Sequence, residues 1–338
     1  MTRPASSLFS ARRLRSSCRL GIVLSILVLT SGCLTEHSTM IGADVERPWQ
    51  PWQVLETGTG RVLSYSDWLE DLERYDIVYL GEEHFNRYHI EAALRILDHL
   101  TSVGIRPSIG MEMFGWDGQP ALDHYLLDGE TERNDFLTQV RWKQNWGGAF
   151  EAYEPLVVFA RKHRLPILAM NPPRPLIRLV VKLGLDRAKQ TQDWTTWSLQ
   201  HEDIVDDLAY RAKILDQLRR CHGGGTETSY RTMYEASMVR DEGMAKTLVA
   251  RLADFRDAEG ASGSVIVSYT GSGHIQYNLP IPQRVARRLS GDVKQATIYL
   301  TSFDGATTER IEELLQERIA DYIWLTPMPE KGPPKPCR

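Results

Sequence analysis

Cysteine is scarce in this chain. Its 338 residues include four, Cys18, Cys33, Cys221 and Cys337. No two stand at the short spacing of a disulfide-dense scaffold or a zinc ribbon. Apolar runs long enough to cross a bilayer are missing too. The run at residues 20–29 has about the length of a signal-peptide core and is too short to span comfortably. Positive charge is not in excess: 40 Lys and Arg face 44 Asp and Glu. With no basic, aromatic stripe, this excludes nucleic acid as a partner. There is no internal repeat, so a solenoid is excluded. What remains is an ordinary globular composition, 42% hydrophobic and 25% charged, able to bury a core without disulfides. The length suits one large domain or two small ones.

The N-terminus reads as an export signal. Arg3, Arg12, Arg13, Arg15 and Arg19 precede the apolar run, and Leu29-Thr30-Ser31-Gly32-Cys33 follows it. Small residues before a Cys resemble a bacterial lipobox, although Leu29 lies one place further from Cys33 than the commonest form has it. We expect residues 1–32 to be removed and Cys33 to carry lipid, palmitate included. The alternative is an ordinary cleaved signal with a chance Cys. Several acyl chains anchor firmly, whereas one holds only marginally. Leu34 is not the Asp that retains lipoproteins at the inner membrane, so the expected location is the outer membrane, facing the periplasm. Without residues 1–32, which hold five Arg and no acid, 35 basic residues face 44 acidic ones, a net of −9. An export compartment permits a disulfide between Cys221 and Cys337.

Residues 33–60 read as a polar tether and an entry segment that packs Trp49 and Trp52 on the domain. Residues 61–326 form the domain, and the Pro-rich residues 327–338 a disordered tail. A strand ends at Gly81. A helix over residues 88–102 follows, with Ile90, Ala93, Leu94, Leu97 and Leu100 at helical spacing. A second strand covers 106–114, and strand–helix–strand suggests a parallel pair. Further strands are expected at 165–170, 264–269, 296–301 and 322–325. Helices are expected at 66–74, 149–163, 174–185, 195–220, 229–258, 283–289 and 309–319. The fold class is α/β: a mostly parallel central sheet with helices on both faces, and an α-helical insertion at about 174–258 between the third and fourth strands.

Four strand ends carry polar groups: Glu82, Glu83 and His84; Glu112; Asn171 and Arg174; and His274. In an open parallel sheet, ligands bind beyond the carboxyl ends of the strands. Carboxylates and imidazoles converging on one rim suit a divalent cation or general acid–base work. Each has a plainer reading. Glu112 faces opposite to Met111 and Met113, toward a site or toward solvent on an edge strand. Glu83 is solvated, His84 is a surface or core imidazole, and Gly271-Ser272-Gly273-His274 is a turn. His89, early in the helix, has either role. Tyr230, Tyr234, Met238 and Met244 on the long helix read as core, with a Tyr axial ligand to haem iron as the other option. Arg240-Asp241 reads as an ion pair or a helix-surface pair.

At these residues the chain resembles the ChaN-like haem-binding lipoproteins, part of a wider group with the Tiki proteases, TraB proteins and erythromycin esterases. The resemblance spans roughly residues 75–285. It rests on Gly81-Glu82-Glu83-His84, Gly110-Met111-Glu112-Met113-Phe114, Asn171-Pro172-Pro173-Arg174, Arg240-Asp241 followed by Met244-Ala245, and Gly271-Ser272-Gly273-His274. Ser237 departs from the Gln expected before the Arg-Asp pair. On the ChaN branch the resemblance implies haem binding for iron uptake, a dimer that encloses haem, and a haem receptor or transport system as partner. A Tyr would hold the iron, Tyr234 or else Tyr230, with Arg174 and Asn171 at the haem. On the Tiki branch it implies a divalent-metal hydrolase with Glu82, His84, Glu112 and His274 as catalytic and metal-binding residues. A third reading is an interaction lipoprotein with a vestigial site.

Overall fold

Runs of consecutive apolar residues belong to strands buried on both faces, as parallel sheets require. Ile77-Val78-Tyr79-Leu80 is such a run, and every residue of its strand is buried. The computed structural model describes residues 49–330, apart from 128–129, 222, 258–263 and 291, together with Gly332. The expected signal segment, Cys33, most of the tether and Cys337 lie outside the described residues. Cys221 is disulfide-bonded.

The chain begins with strands β1 (Val54–Glu56) and β2 (Arg61–Val62), then helix α1 (Tyr65–Leu72), β3 (Ile77–Glu82), α2 (Arg87–Ser102) and β4 (Ser108–Gly115). Helices α3 (Gln119–Leu127), α4 (Arg133–Gln139), α5 (Trp142–Asn145) and α6 (Glu154–His163) lead to β5 (Ile167–Asn171). The helical insertion follows: α7 (Arg174–Leu183), α8 (Leu185–Ala188), α9 (Gln192–Thr196), α10 (Leu208–Cys221) and the long α11 (Glu227–Asp257). The chain then makes β6 (Ile266–Gly271), α12 (Ile281–Arg288), β7 (Gln295–Phe303), α13 (Thr308–Gln316) and β8 (Tyr322–Pro327).

One sheet takes the strands in the order β2-β1-β8-β7-β3-β6-β4-β5. The pairings from β8 through to β5 are parallel, and the β1–β2 hairpin adds an antiparallel edge. The α/β class with a mostly parallel sheet holds. One local expectation does not: β3 and β4 run the same way but do not pair, because β6 lies between them and bonds to both. Only the whole sheet decides which strand fills that slot.

Helices cover both faces. Ile90, Ala93, Ile96, Leu97 and Leu100 of α2 pack with Val78, Leu80, Met111 and Met113 on one side. Met244, Ala245 and Leu248 of α11, Val285 of α12 and Leu314 of α13 pack with Ile77, Tyr79 and Ile266 on the other. Trp49 meets Phe303 edge-on, and Trp52 meets Trp324, so the entry segment docks as expected. The insertion has its own core around Leu176, Trp194, Tyr210, Tyr234 and Val239.

The expected helix at 195–220 is broken. Ser198 adopts a left-handed backbone with φ 54°, and α10 starts only at Leu208. The acidic residues between are used elsewhere. Glu202 pairs with Arg288 and Lys246, and Asp207 caps the new helix by accepting from the Tyr210 amide at 2.8 Å. Side-chain bonds of this kind compete with continued helix.

Candidate functional site

Glu82 is the last residue of β3 and is 1% exposed. A carboxylate so buried needs donors, and it has three. The Tyr153 hydroxyl donates to Oε1 at 2.8 Å, the Tyr269 hydroxyl donates to Oε2 at 2.9 Å, and His84 Nδ1 lies 2.8 Å from Oε1. Burial raises the Glu82 pKa, and these bonds offset only part of the rise. For His84, burial acts to lower the pKa, but the Glu82 bond and the Glu112 and Glu82 charges outweigh it and the net shift is upward.

Glu112 sits mid-β4, opposite in direction to Met111 and Met113, and is 2% exposed. Its Oε2 accepts the Gly271 amide at 2.7 Å, and its Oε1 accepts from Arg240 of α11. His274 Nε2 lies 3.3 Å from Oε1. Burial alone would raise the Glu112 pKa, but the His274 and Arg240 charges hold it well below the usual carboxylate range. Burial likewise acts to lower the His274 pKa, and Glu112 and Asp241 overcome it, pushing it up to about 9. Asp241 Oδ1 lies 2.5 Å from His274 Nδ1, and its Oδ2 accepts the Tyr210 hydroxyl at 2.5 Å. The guanidinium of Arg284 covers the Tyr210 ring at 4.1 Å.

Two polar chains therefore meet at the strand ends. One runs Tyr153 and Tyr269 to Glu82 to His84. The other runs Tyr210 to Asp241 to His274 to Glu112 to Arg240. They meet at Gly271, where a Cβ would stand 2.8 Å from His84 Cε1 and 3.4 Å from Glu112 Oε2. Beside them opens a cavity of about 310 Å³, lined by Phe85, Glu112, Trp146, Asn171, Arg174 and Arg240 among others. Asn171 donates to the Glu112 carbonyl at 3.1 Å and faces Arg240 Nε at 3.3 Å. Arg174 donates to the Trp146 carbonyl at 3.2 Å and has no carboxylate partner among the described residues. Phe85 is 47% exposed and takes a left-handed φ of 64°, a strained choice for a non-Gly residue. Its ring packs against Trp146, Tyr153 and the bare face of Gly148.

The structure thus gathers Glu82, His84, Glu112, Asn171, Arg174 and His274 at one rim. Glu83 turns aside to Ser302 and Asn86. His89 is fully buried, its Nδ1 accepting the Glu83 amide at 2.9 Å, and burial lowers its pKa to about 3. Tyr234 and Tyr230 do not line the cavity. The Tyr234 hydroxyl donates to Asp206 at 2.6 Å, and the Tyr230 hydroxyl accepts the Gly225 amide at 3.0 Å. Sequence reasoning missed Tyr153, Tyr269, Tyr210 and Trp146, and left Asp241 as a mere pair partner. No motif marks them. Only the alternation of β6 could have aimed Tyr269 at the α2 face.

The sequence-based metal set Glu82, His84, Glu112 and His274 does not form a coordination shell. The carboxylate oxygens that would face a cation face tyrosine hydroxyls, an amide and the Arg240 guanidinium instead. Among the described residues no group of three or more His, Cys, Asp or Glu is placed to hold a metal ion.

A model of the haem-binding uptake family (Tiki superfamily, ChaN) matches residues 68–285. The chain belongs to this family. Among solved structures, the family fold is shared with ChaN of Campylobacter jejuni, described as binding haem cofacially. That match has a TM-score of 0.60 at 18% identity over 80% of this chain and 95% of that one. An erythromycin esterase in its open conformation matches at a TM-score of 0.42 and 16% identity, over 74% of this chain and 76% of that one. A Bacillus cereus protein matches at 0.37 and 15%, over 72% and 70%. No curated protein matches the sequence.

The residues at the rim fit a haem. Phe85, Trp146, Pro172 and Ile177 offer apolar and aromatic surface, and among the described residues Arg174 has no carboxylate partner and the buried Trp146 Nε1 no acceptor. A planar ring with carboxylate arms would supply what these groups lack.

Proposed function

We propose that this chain binds haem at the strand-end cavity and serves haem or iron uptake as a lipid-anchored protein of the bacterial cell envelope. Membership of the haem-binding uptake family carries the reading. The cavity supports it: aromatic walls for the macrocycle, with Arg174 and Arg240 for the propionates. At about 310 Å³ it stands at the small end of ligand pockets. It takes one edge of the ring and leaves the rest exposed, as suits a carrier that passes its cargo on, or one that closes over it as a dimer. Haemin titration of the full chain in detergent tests the reading. A saturable Soret change near one haem per chain is the expected outcome, and a featureless, non-saturating titration ends it.

A second reading, acid–base hydrolysis, is favoured by the two imidazoles, each oriented by its own buried carboxylate. It predicts that Asp241→Asn, which takes the partner carboxylate from His274, abolishes turnover of an ester or peptide substrate.

A further inference from the structure

A second cavity, of about 610 Å³ against about 310 Å³ at the strand ends, opens along the outer strand β5, between the core and the helical insertion. The two share no lining residue. Its volume lies well within the range of small-molecule pockets. Pro166 and residues 167–169 form an apolar floor, α11 contributes Thr247 and the exposed Ala250, and α3 contributes Gln119 and Asp123. Two indoles, Trp116 and Trp197, make an aromatic wall, with centroids 6.4 Å apart and planes tilted by 47°. Trp116 is fixed in place. Its Nε1 donates to the Met170 carbonyl at 3.1 Å and to the Thr247 hydroxyl at 3.0 Å, and its ring lies where Gly243 has no Cβ. A wall ordered beforehand costs little further ordering on binding.

The chemistry of the lining selects its ligand. Lys246 Nζ is spent on the Ser198 carbonyl at 2.6 Å and on Glu202 at 3.1 Å. Arg251 is spent on the Ser108 hydroxyl at 2.9 Å and on Asp254 at 3.5 Å. Neither cation is left over for an anion. Lys246 also stands 6.0 Å from the centre of the Trp116 ring, the place a cationic ligand would seek on an aromatic face, so like charge turns a cation away. Neutral hydrogen-bonding groups are in supply instead. Trp197 Nε1 and the Thr196 and Ser198 hydroxyls have no partner among the described residues. The exposed Asp123 carboxylate accepts from Gln119 at 2.7 Å and keeps a second oxygen to offer. We infer that this cavity is a binding site for a neutral saccharide, its ring resting on the two indoles. A sugar ring has C–H faces that lie against an indole and a rim of hydroxyls that both donate and accept. A flat aromatic molecule matches the first property alone, and an ion matches neither. The inference stands apart from the haem reading.

The test is titration of the full chain, in a detergent without a sugar head group, with maltotriose, cellotriose and triacetylchitotriose, read by saturation-transfer NMR on the sugar protons. At least one should bind saturably. Trp197→Ala should weaken that binding by about tenfold, the upper end of what one aromatic contact contributes. Ala250→Trp fills the groove from the side of α11 and should abolish it, which keeps the inference testable if the Trp197 variant does not fold. Haemin titration should give the same Soret change in both variants and wild type, so the two sites fail or stand separately. No saturable binding by any of the three sugars overturns the inference. So does binding unchanged in both variants, or a charged trisaccharide, trigalacturonate, held as tightly as the neutral ones.

Discussion

Gly271 shows how one missing side chain organises a site. Its amide holds Glu112 at 2.7 Å, and its bare Cα face receives the His84 ring. A methyl group there would have to displace the imidazole, whose Cε1 and Nε2 would lie 2.8 and 3.0 Å from it. Gly271→Ala should therefore destabilise the fold by about 1–3 kcal/mol, as overpacking usually does, and move His84 off its mark. Urea unfolding checks the loss of stability, and the His84 ring resonances in an NMR spectrum check its displacement; a variant normal in both would show that the ring is not seated there. The Gly-Ser-Gly-His stretch was legible in the sequence as a strand end that carries a His, or as a turn. That an imidazole from the turn after β3 packs against Gly271 was not legible, because the two are brought together only by the pairing of β3 with β6.

At the scale of elements, the outer strand β5 illustrates how an exposed edge is managed. Such an edge presents unpaired amides and carbonyls that invite pairing with another chain. Gln119, at the start of α3, closes this one. It donates to the Ile167 carbonyl at 2.9 Å and accepts the Ala169 amide at 2.6 Å, as a neighbouring strand would. Gln119→Ala should cost about 1 kcal/mol for the lost bonds and raise the tendency to aggregate; light scattering during thermal unfolding, compared with wild type, measures the second effect. The long helix α11 shows what periodicity can and cannot tell. Its existence was legible from its length and pattern. The break between α9 and α10 was not, since Glu202 in the gap pairs with Lys246 and Arg288, far along the chain.

The whole molecule places three titrating groups so that their effects on stability oppose one another. His89 falls to about 3 in the folded state against about 6.5 unfolded. Unfolding therefore takes up a proton between those values, and the stability this group contributes is present above pH 6.5 and lost as pH falls toward 3. His274 rises to about 9, so its contribution is present below pH 6.5 and lost as pH rises through 9. Glu112 lies well below its usual value, and its contribution is lost only as pH falls below the carboxylate range. Stability should peak near neutrality, each histidine limb sloping at about 1.4 kcal/mol per pH unit. Denaturant midpoints measured across pH check this. His89→Gln should flatten the acid limb and His274→Asn the alkaline one; unaltered limbs would mean these groups do not titrate as placed.

The sequence by itself determined the α/β class, the position of the helical insertion and the strand ends that carry Glu82, His84, Asn171 and His274. Apolar runs, helical spacing and glycine breaks are local signals, and the family motifs lie along the chain in order. Only the tertiary structure decided that β6 stands between β3 and β4, that the Arg240 guanidinium faces Glu112, and that Tyr153, Tyr269, Asp241 and Tyr210 orient the two imidazoles. These are contacts between residues from 31 to 187 positions apart, and no local pattern records them, because each side chain's partner is set by how the strands are ordered and which helix is laid across their ends.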